Sequence, residues 1–381
     1  MFRTVQRKIK TLRRITANAD EVRLFILARF PAISPTSYWM RWLYPAWWQY
    51  VFYEVTKAFS RRNKGVNSDP ASRFLLRVPK GAGIGDQIVT SWSETYLLAR
   101  RYGLTFVHHP FVRSPHDPET NWEEFLGFGV NEMQAQQIAQ NGALKIVRLP
   151  PISLMNQRNI SLVDRIINQA YPQNNTVFRL PSDIYFKTDL DQREIMPAVY
   201  AKKYEAARRG APLDVGFKSR YLHIGVHIRR AGNRPDLNPG LNETNPEWKW
   251  RWISDGYYIN ALEDLLPLID RPFQVHIFSD GTEDELYAFD ALPNRIFHLH
   301  DDPRWVFHAM VCVDILLSSS SAFSICAGKI SSGLKLIGRG FDHPRLFIPE
   351  TSDWVLIEQD GHLSDHARIQ VQEKCRSIGA H

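Results

Sequence analysis

Apolar and polar positions along the chain follow two rhythms that alternate. FLLRVP at 74–79 reads as a buried strand that ends in the glycine cluster GAGIGDQ at 81–87. The next segment, VTSWSETYLLARRYGL, sets Ile88, Trp92, Tyr96 and Leu97 near helical spacing and stops at Gly103. TFVHH at 105–109 predicts the following strand, so the unit reads strand, glycine-rich turn, helix, strand. Residues 110–215 are less periodic, with proline-rich joints at 110–118 and 149–151 and a helix-like run near 193–209.

Regular alternation returns at YLHIGVHIRR, residues 221–230, an apolar strand that terminates in two arginines. GYYINALEDLLPLI at 256–269 has a helical pattern, FQVHIFSD at 273–280 is a strand ending in Asp280, and EDELYAF is a helix. RIFHLH at 295–300 predicts a strand, WVFHAMVCVD a helix, ILLSSSS a strand and SICAGKISSGL the helix after it. Strands and helices alternating at this spacing predict an α/β fold with a parallel, doubly wound sheet. In such sheets ligands bind beyond the carboxyl ends of the strands, where Arg229, Asp280 and Ser318 to Ser321 emerge. The segments divide as an extension at 1–64, an α/β domain at 65–215, a second at 216–350 and a tail at 351–381. No internal repeat is visible.

Length agrees with two domains, since 381 residues exceed a usual single core. With 44% hydrophobic and 23% charged residues, the composition is that of an ordinary globular chain. Cys312, Cys326 and Cys375 are too few for a disulfide framework or a thiolate metal cluster, and they fit a reducing compartment.

Charge redraws the N-terminus. Residues 1–64 carry 13 Lys/Arg against Asp20, Glu21 and Glu54, so the excess of basic charge belongs to that segment and the rest of the chain is slightly acidic. A nucleic-acid partner is therefore not expected of the body. The richest apolar stretch, WLYPAWWQYVFY at 42–53, is too short to span a bilayer and holds a proline, and the basic first twenty residues do not suit a cleaved signal peptide. Two readings of this segment fit. Trp39, Trp42, Trp47, Trp48, Tyr44 and Tyr50 among basic residues suit an anchor in an anionic membrane surface, or the segment is a helical hairpin whose aromatics cover the body. The first reading places the protein in the cytoplasm, on the inner face of a membrane.

GAGIGDQ is neither a nucleotide P-loop, because no Lys-Ser/Thr follows, nor a dinucleotide fingerprint, because the third glycine is missing. Its glycines permit close backbone approach, and the helix start behind them offers N–H groups to an anion; a tight strand-to-helix turn is the alternative. In HIRR at 227–230, strand alternation puts His227 and Arg229 on one face, assigned to a ligand, and Arg230 on the other, assigned to a structural ion pair. SSSSAFS at 318–324 adds hydroxyls and backbone donors at a strand-to-helix junction. Together these features predict a diphosphate ligand neutralised by arginine and helix ends, with no acidic pair or histidine cluster at metal-ligand spacing.

The ordered set GAGIGDQ, VHIRR, ISDGYYINALEDLL, VHIFSDG and HAMVCVDILLSSSSAFS resembles the fucosyltransferase superfamily, nearest to the α1,2- and bacterial α1,6-fucosyltransferases, over roughly residues 74–340. The resemblance implies a GT-B architecture of two facing Rossmann-type domains, GDP-fucose as donor, a glycan hydroxyl as acceptor, metal independence and inversion at the anomeric carbon. It implies binding of the donor by Gly83, Gly85, Gln87, His227, Asp280, Ser320, Ser321 and Ser324, with Arg229 stabilising the leaving diphosphate. The base is sought in the loop after HIRR, where Asp236 comes first, followed by Glu243 and Glu247. Where the group usually carries Asp two residues after the second arginine, this chain has Gly232, and Ala322 interrupts the serine pattern. Two other readings stand beside it: a sulfo- or phosphotransferase using Lys80 in VPKGAGIG, and a membrane-peripheral protein that binds a sugar nucleotide without turnover.

Overall fold

The chain divides after Gly65 into two units, Met1–Gly65 and Val66–His381. The structure, a computed structural model, describes residues 73–79, 82–113, 119–140, 144–149, 163–180, 195–230, 253–339 and 353–378, all in the second unit. The extension at 1–64, Lys80, Gly81, Asp236, Glu243 and Glu247 lie outside the described residues. Among the described residues no helix is long and apolar enough to cross a membrane.

Two parallel sheets carry the unit. The first has five strands: β1 (Arg73–Arg77), β2 (Thr105–His108), β3 (Met133–Gln134), β4 (Lys145–Arg148) and β5 (Thr176–Leu180), in the order β3-β2-β1-β5-β4. From β1 the chain passes through the glycine turn into α1, which begins as Ile84–Asp86, widens into a π-helical stretch at Gln87–Trp92 and continues as Ser93–Arg101. Helix α2 (Trp122–Leu126), α3 (Ala135–Gln140) and α4 (Met196–Gly210) and a π-helical turn at Ile166–Ala170 also belong to this half. Among the described residues, the weakly periodic stretch 110–215 thus holds three strands, each short and none alternating clearly in sequence.

The second sheet has six strands: β6 (Leu222–Ile228), β7 (Phe273–Ser279), β8 (Arg295–Leu299), β9 (Ile315–Leu317), β10 (Leu334–Gly338) and β11 (Trp354–Ile357), ordered β11-β10-β9-β6-β7-β8. Its helices are α5 (Asp255–Leu265), α6 (Pro303–Cys312), α7 (Ala322–Ile330) and α8 (Asp365–Ile378). Every residue of β6 is buried, as expected for a central parallel strand covered on both faces. Leu222, Ile224, Val226 and Ile228 turn to one side, where Tyr258, Leu262 and Leu265 of α5 and Phe289 meet them in the main core. His223 and His227 line the other side. The sheet runs past residue 350, because β11 pairs with β10 and α8 packs near it, so 353–378 is an integral edge of this sheet where a tail is expected from sequence. Two further differences are local: β10 begins at Leu334, the last residue of the segment read as a helix, and EDELYAF forms a 3₁₀ turn, Asp284–Phe289.

Candidate functional site

Strand order reverses once in each sheet, between β1 and β5 in the first and between β6 and β9 in the second. At such a crossover the loops leave in opposite directions and open a crevice at the carboxyl ends. In the second sheet the two strand ends supply His227 from β6 and Ser318 to Ser321 after β9. His227 is buried and its Nδ1 lies 2.7 Å from Ser319 Oγ, a hydrogen bond across the crossover. Burial holds the His227 pKa down at about 4; Asp280 pulls it up and Arg229 pushes it further down, so the ring is neutral at pH 7.

Arg229 leaves the strand end half-exposed, and its guanidinium pairs with the Asp280 carboxylate at the end of β7. The other Asp280 oxygen accepts the Arg230 backbone N–H at 2.7 Å. Arg230 turns inward to 1% exposure, pairs with Asp255 at the start of α5 and donates to the Ile253 carbonyl at 3.1 Å. The two arginines therefore divide as alternation predicts, one at the crevice and one inside. Asp255 is the member that sequence reading overlooks: it appears there only within ISDGYYINALEDLL, just before the helix pattern at 256–269.

The serine turn is shaped from within. Ser321 caps α7, its Oγ accepting the Phe323 N–H at 3.3 Å. Ser324 is fully buried, with its hydroxyl 2.9 Å from Ser318 Oγ and 3.2 Å from the Ser321 carbonyl, to which it donates. Ser320 is also buried. Hydroxyls expected to face a ligand thus fix the loop that presents the start of α7, and the anion-binding capacity lies in its backbone N–H groups and partial positive charge.

The glycine turn departs furthest from expectation. A Cβ on Gly85 would stand 2.4 Å from the carbonyl carbon and oxygen of Ala322 and 2.7 Å from Phe323 N, so the space that only glycine leaves is filled by the first turn of α7. Cys326 donates to the Gly85 carbonyl at 3.5 Å. Gln87 is buried and wholly engaged: Nε2 donates to the Ala82 and Val112 carbonyls at 3.0 and 2.8 Å, and Oε1 accepts Val112 N–H at 2.9 Å. Like a strand edge, this amide clamps the 110–113 segment. Gly83 precedes α1 and its carbonyl accepts Gln87 N–H at 3.1 Å. What the turn does is bring the start of α1 against the start of α7, joining the two halves. An aromatic cluster seals the joint: Trp122 and Phe125 of α2 and Tyr204 of α4 pack on Phe307 of α6, and Phe323 contacts Trp122 and Phe307. At the ends of β1 and β2 a small hollow, with room for about one water molecule, is lined by Arg77, Ser91, Trp92, His109 and Phe111. Among the described residues no group of three or more His, Cys, Asp and Glu side chains is placed to hold a metal ion.

No protein-family model matches this chain, and no curated protein sequence does. Solved structures resemble it. The fucosyltransferase NodZ from Bradyrhizobium is 14% identical, with 69% of this chain and 94% of that one covered at a TM-score of 0.43. POFUT1 in complex with GDP is 13% identical, with coverage of 71% and 99% and a TM-score of 0.42. A glycosyl transferase family 9 protein from Veillonella parvula is 12% identical, with coverage of 82% and 99% and a TM-score of 0.41. The likeness is one of fold: each is a structure this chain is similar to.

Proposed function

We propose that the chain is a glycosyltransferase that moves fucose from GDP-fucose to a hydroxyl of a glycan acceptor. The carrying observation is the crossover of the second sheet, where neutral His227 is bonded to Ser319, the Arg229–Asp280 pair flanks it, and α7 begins. That arrangement suits a nucleoside diphosphate: a guanidinium fork and helix-end N–H groups accept charge, and Asp280 offers a carboxylate to a nucleoside. The acceptor oxygen attacks the anomeric carbon from the side opposite the diphosphate, forming the new C–O bond as the old one breaks, and the anomeric configuration inverts. Negative charge grows on the departing phosphate, where Arg229 and the α7 terminus lower the barrier without a metal ion. Asp236 is assigned to take the acceptor proton. The fucosyl specificity rests on the sequence resemblance.

A thermal-shift screen of GDP-, UDP- and CMP-sugars and the sulfate donor tests this reading. GDP-fucose or GDP is expected to raise Tm equally in excess chelator and in millimolar magnesium. Stabilisation by the sulfate donor alone favours a sulfotransferase, a strict magnesium or manganese requirement removes the metal-free mechanism, and donor binding without transfer to any glycan identifies a binding protein.

We further assign residues 1–64 to the anionic inner face of a membrane, from their charge and clustered Trp/Tyr. Each basic residue near such a surface contributes about 1 kcal/mol, a contribution that salt screens while aromatic insertion persists. In vesicle flotation, high salt is expected to loosen the full chain partly, and Trp47→Ala with Trp48→Ala in the same salt to release it. If the unmutated chain never floats and the double variant aggregates, the tryptophans cover the body instead.

A further inference from the structure

The chain leaving β2, His109 to Arg113, belongs to no helix or strand, yet both ends of the π-helical stretch of α1 reach out to hold it. Gln87, the first residue of that stretch, grips Val112 through its paired amide bonds. Trp92, the last, acts through two further side chains. Its indole Nε1–H donates to His108 Nδ1 at 3.1 Å, His108 Nε2 lies 2.8 Å from Glu123 Oε1, and Glu123 Oε2 accepts the Phe111 N–H at 3.0 Å. The hydrogens of this relay have one arrangement. An indole nitrogen only donates, so Nδ1 is the lone pair of a neutral His108, and its hydrogen is on Nε2, facing a carboxylate. Burial alone would raise the Glu123 pKa, but the bonds from His108, Phe111 and Gly129 hold it below its ordinary value. Short π-helical stretches recur at functional sites, and this one supplies a holder at each end.

What the holders fix is His109 beside Phe111. His109 Nδ1 lies 2.9 Å from the Pro110 carbonyl, which only accepts, so the hydrogen sits on Nδ1 and Nε2 carries the lone pair. Among the described residues nothing donates to that Nε2, and the ring is half-buried. Phe111 is half-buried too, its ring backed by His108 at 5.9 Å and Phe128 at 6.0 Å. Both side chains line the small hollow at the ends of β1 and β2, whose size suits a single hydroxyl.

The segment also stands on the side where transfer would take place. Helix α1 starts from the carboxyl end of β1 and α7 from that of β9, and the two starts touch at Gly85, so the carboxyl edges of both sheets meet there. Strand β2 neighbours β1, and Gln87 ties Val112 to the start of α1. His109 and Phe111 therefore border the same joint as the crossover that carries His227 and Ser319.

We propose that His109 and Phe111 form the sugar-contacting edge of the acceptor site, with Phe111 packing against the C–H face of a ring and His109 Nε2 accepting one sugar hydroxyl. Gln87, Trp92, His108 and Glu123 are the positioning residues. The inference rests on the transfer reading above and adds to it the place where the acceptor sits. An aromatic face beside one fixed polar atom suits a polyhydroxylated ring, which has an apolar side and directional hydroxyls. The hydroxyl that His109 holds is separate from the attacking one, whose proton is assigned to Asp236.

Full-length protein with ¹³C- and ¹⁵N-labelled histidine, saturated with GDP, tests this. Galactose, glucose, mannose, fucose and N-acetylglucosamine are added singly to about 0.1 M, enough to fill a site of millimolar Kd. At least one sugar is expected to move the His109 ring signals, which are identified by their loss in His109→Phe. Neutral His109 is expected as the Nδ1–H tautomer and His108 as the Nε2–H tautomer. His109→Phe keeps a ring and loses the acceptor atom, so it should weaken that sugar about fivefold, read by saturation transfer to the sugar protons. Glu123→Gln has one oxygen where two donors stand apart; it should speed exchange of the Phe111 amide and weaken the same sugar by a similar factor. GDP should raise the Tm of both variants as it does that of the unmutated chain. No sugar moving the His109 signals, a neutral His109 with its hydrogen on Nε2, or unchanged sugar affinity in either variant overturns the proposal. A missing GDP response beside an intact sugar response defeats the donor reading alone.

Discussion

Gly85→Ala is expected to destabilise the chain by about 3 kcal/mol or more, which puts it at the upper end of overpacking effects. The added methyl would meet main-chain atoms of Ala322 and Phe323 at 2.4–2.7 Å, and main chain in the first turn of a packed helix cannot swing aside as a side-chain tip can. Removing the neighbouring side chain should bring no relief, so Gly85→Ala with Ala322→Gly should remain as unstable as the single variant. Gly103→Ala provides the contrast. That glycine has φ +60° with nothing near its Cβ position, and the change should cost only the backbone strain of about 1–2 kcal/mol. Urea unfolding of the three variants, followed by intrinsic tryptophan fluorescence, measures the differences. A Gly85→Ala protein as stable as the unmutated chain would show that α1 and α7 are not in contact.

The second large effect separates the adjacent arginines. Arg229→Lys should lower transfer nearly as far as Arg229→Ala, on the order of a hundredfold, because an ammonium cannot reproduce a planar fork across Asp280 and a phosphate. Folding should be little changed, since the side chain is about a third exposed. Arg230→Ala should do the reverse: it strands Asp255 and empties a buried volume, costing about 3 kcal/mol of stability, the low end for a broken buried pair because Asp255 is itself 30% exposed. Transfer rates and melting curves on both sets decide. Full activity in Arg229→Lys would remove Arg229 from the donor site, and an unchanged Tm in Arg230→Ala would remove the inner ion pair.

Which features were readable in sequence follows from how local their causes are. LHIGVHI announces β6 because burial on both faces demands a run free of charged side chains, and the division of Arg229 from Arg230 follows from alternation alone. Ser318 to Ser321 were placed at a strand-to-helix junction for the same reason. Strand β10 was hidden because only Ser331 to Gly333 separate it from α7, too little punctuation to tell a new element from a continuing helix. The packing of Gly85 and Gln87 is not legible in sequence for a different reason. A glycine that admits phosphate and one that admits another helix look identical in sequence, and the main-chain partners of Gln87 at Val112 leave no side-chain signal. The π-helical widening at Gln87–Trp92 likewise has no marker in its composition. Asp236, Glu243 and Glu247 remain assignments from sequence.

The meeting of Gly85 with the first turn of α7 also bears on how the molecule is made. Residues 85 and 322 are synthesised far apart in time: at ordinary ribosomal rates the interval is on the order of tens of seconds, long beside the microseconds to milliseconds in which helices and small sheets form. The amino-terminal half therefore leaves the ribosome with its glycine turn bare and the aromatic faces of Trp122, Phe125 and Tyr204 uncovered. Until α6 and α7 arrive, those rings offer themselves to whatever apolar surface is nearest, including another nascent copy. Expression yield, more than the stability of the finished protein, should accordingly be sensitive to translation speed and to chaperone supply during the second half of synthesis.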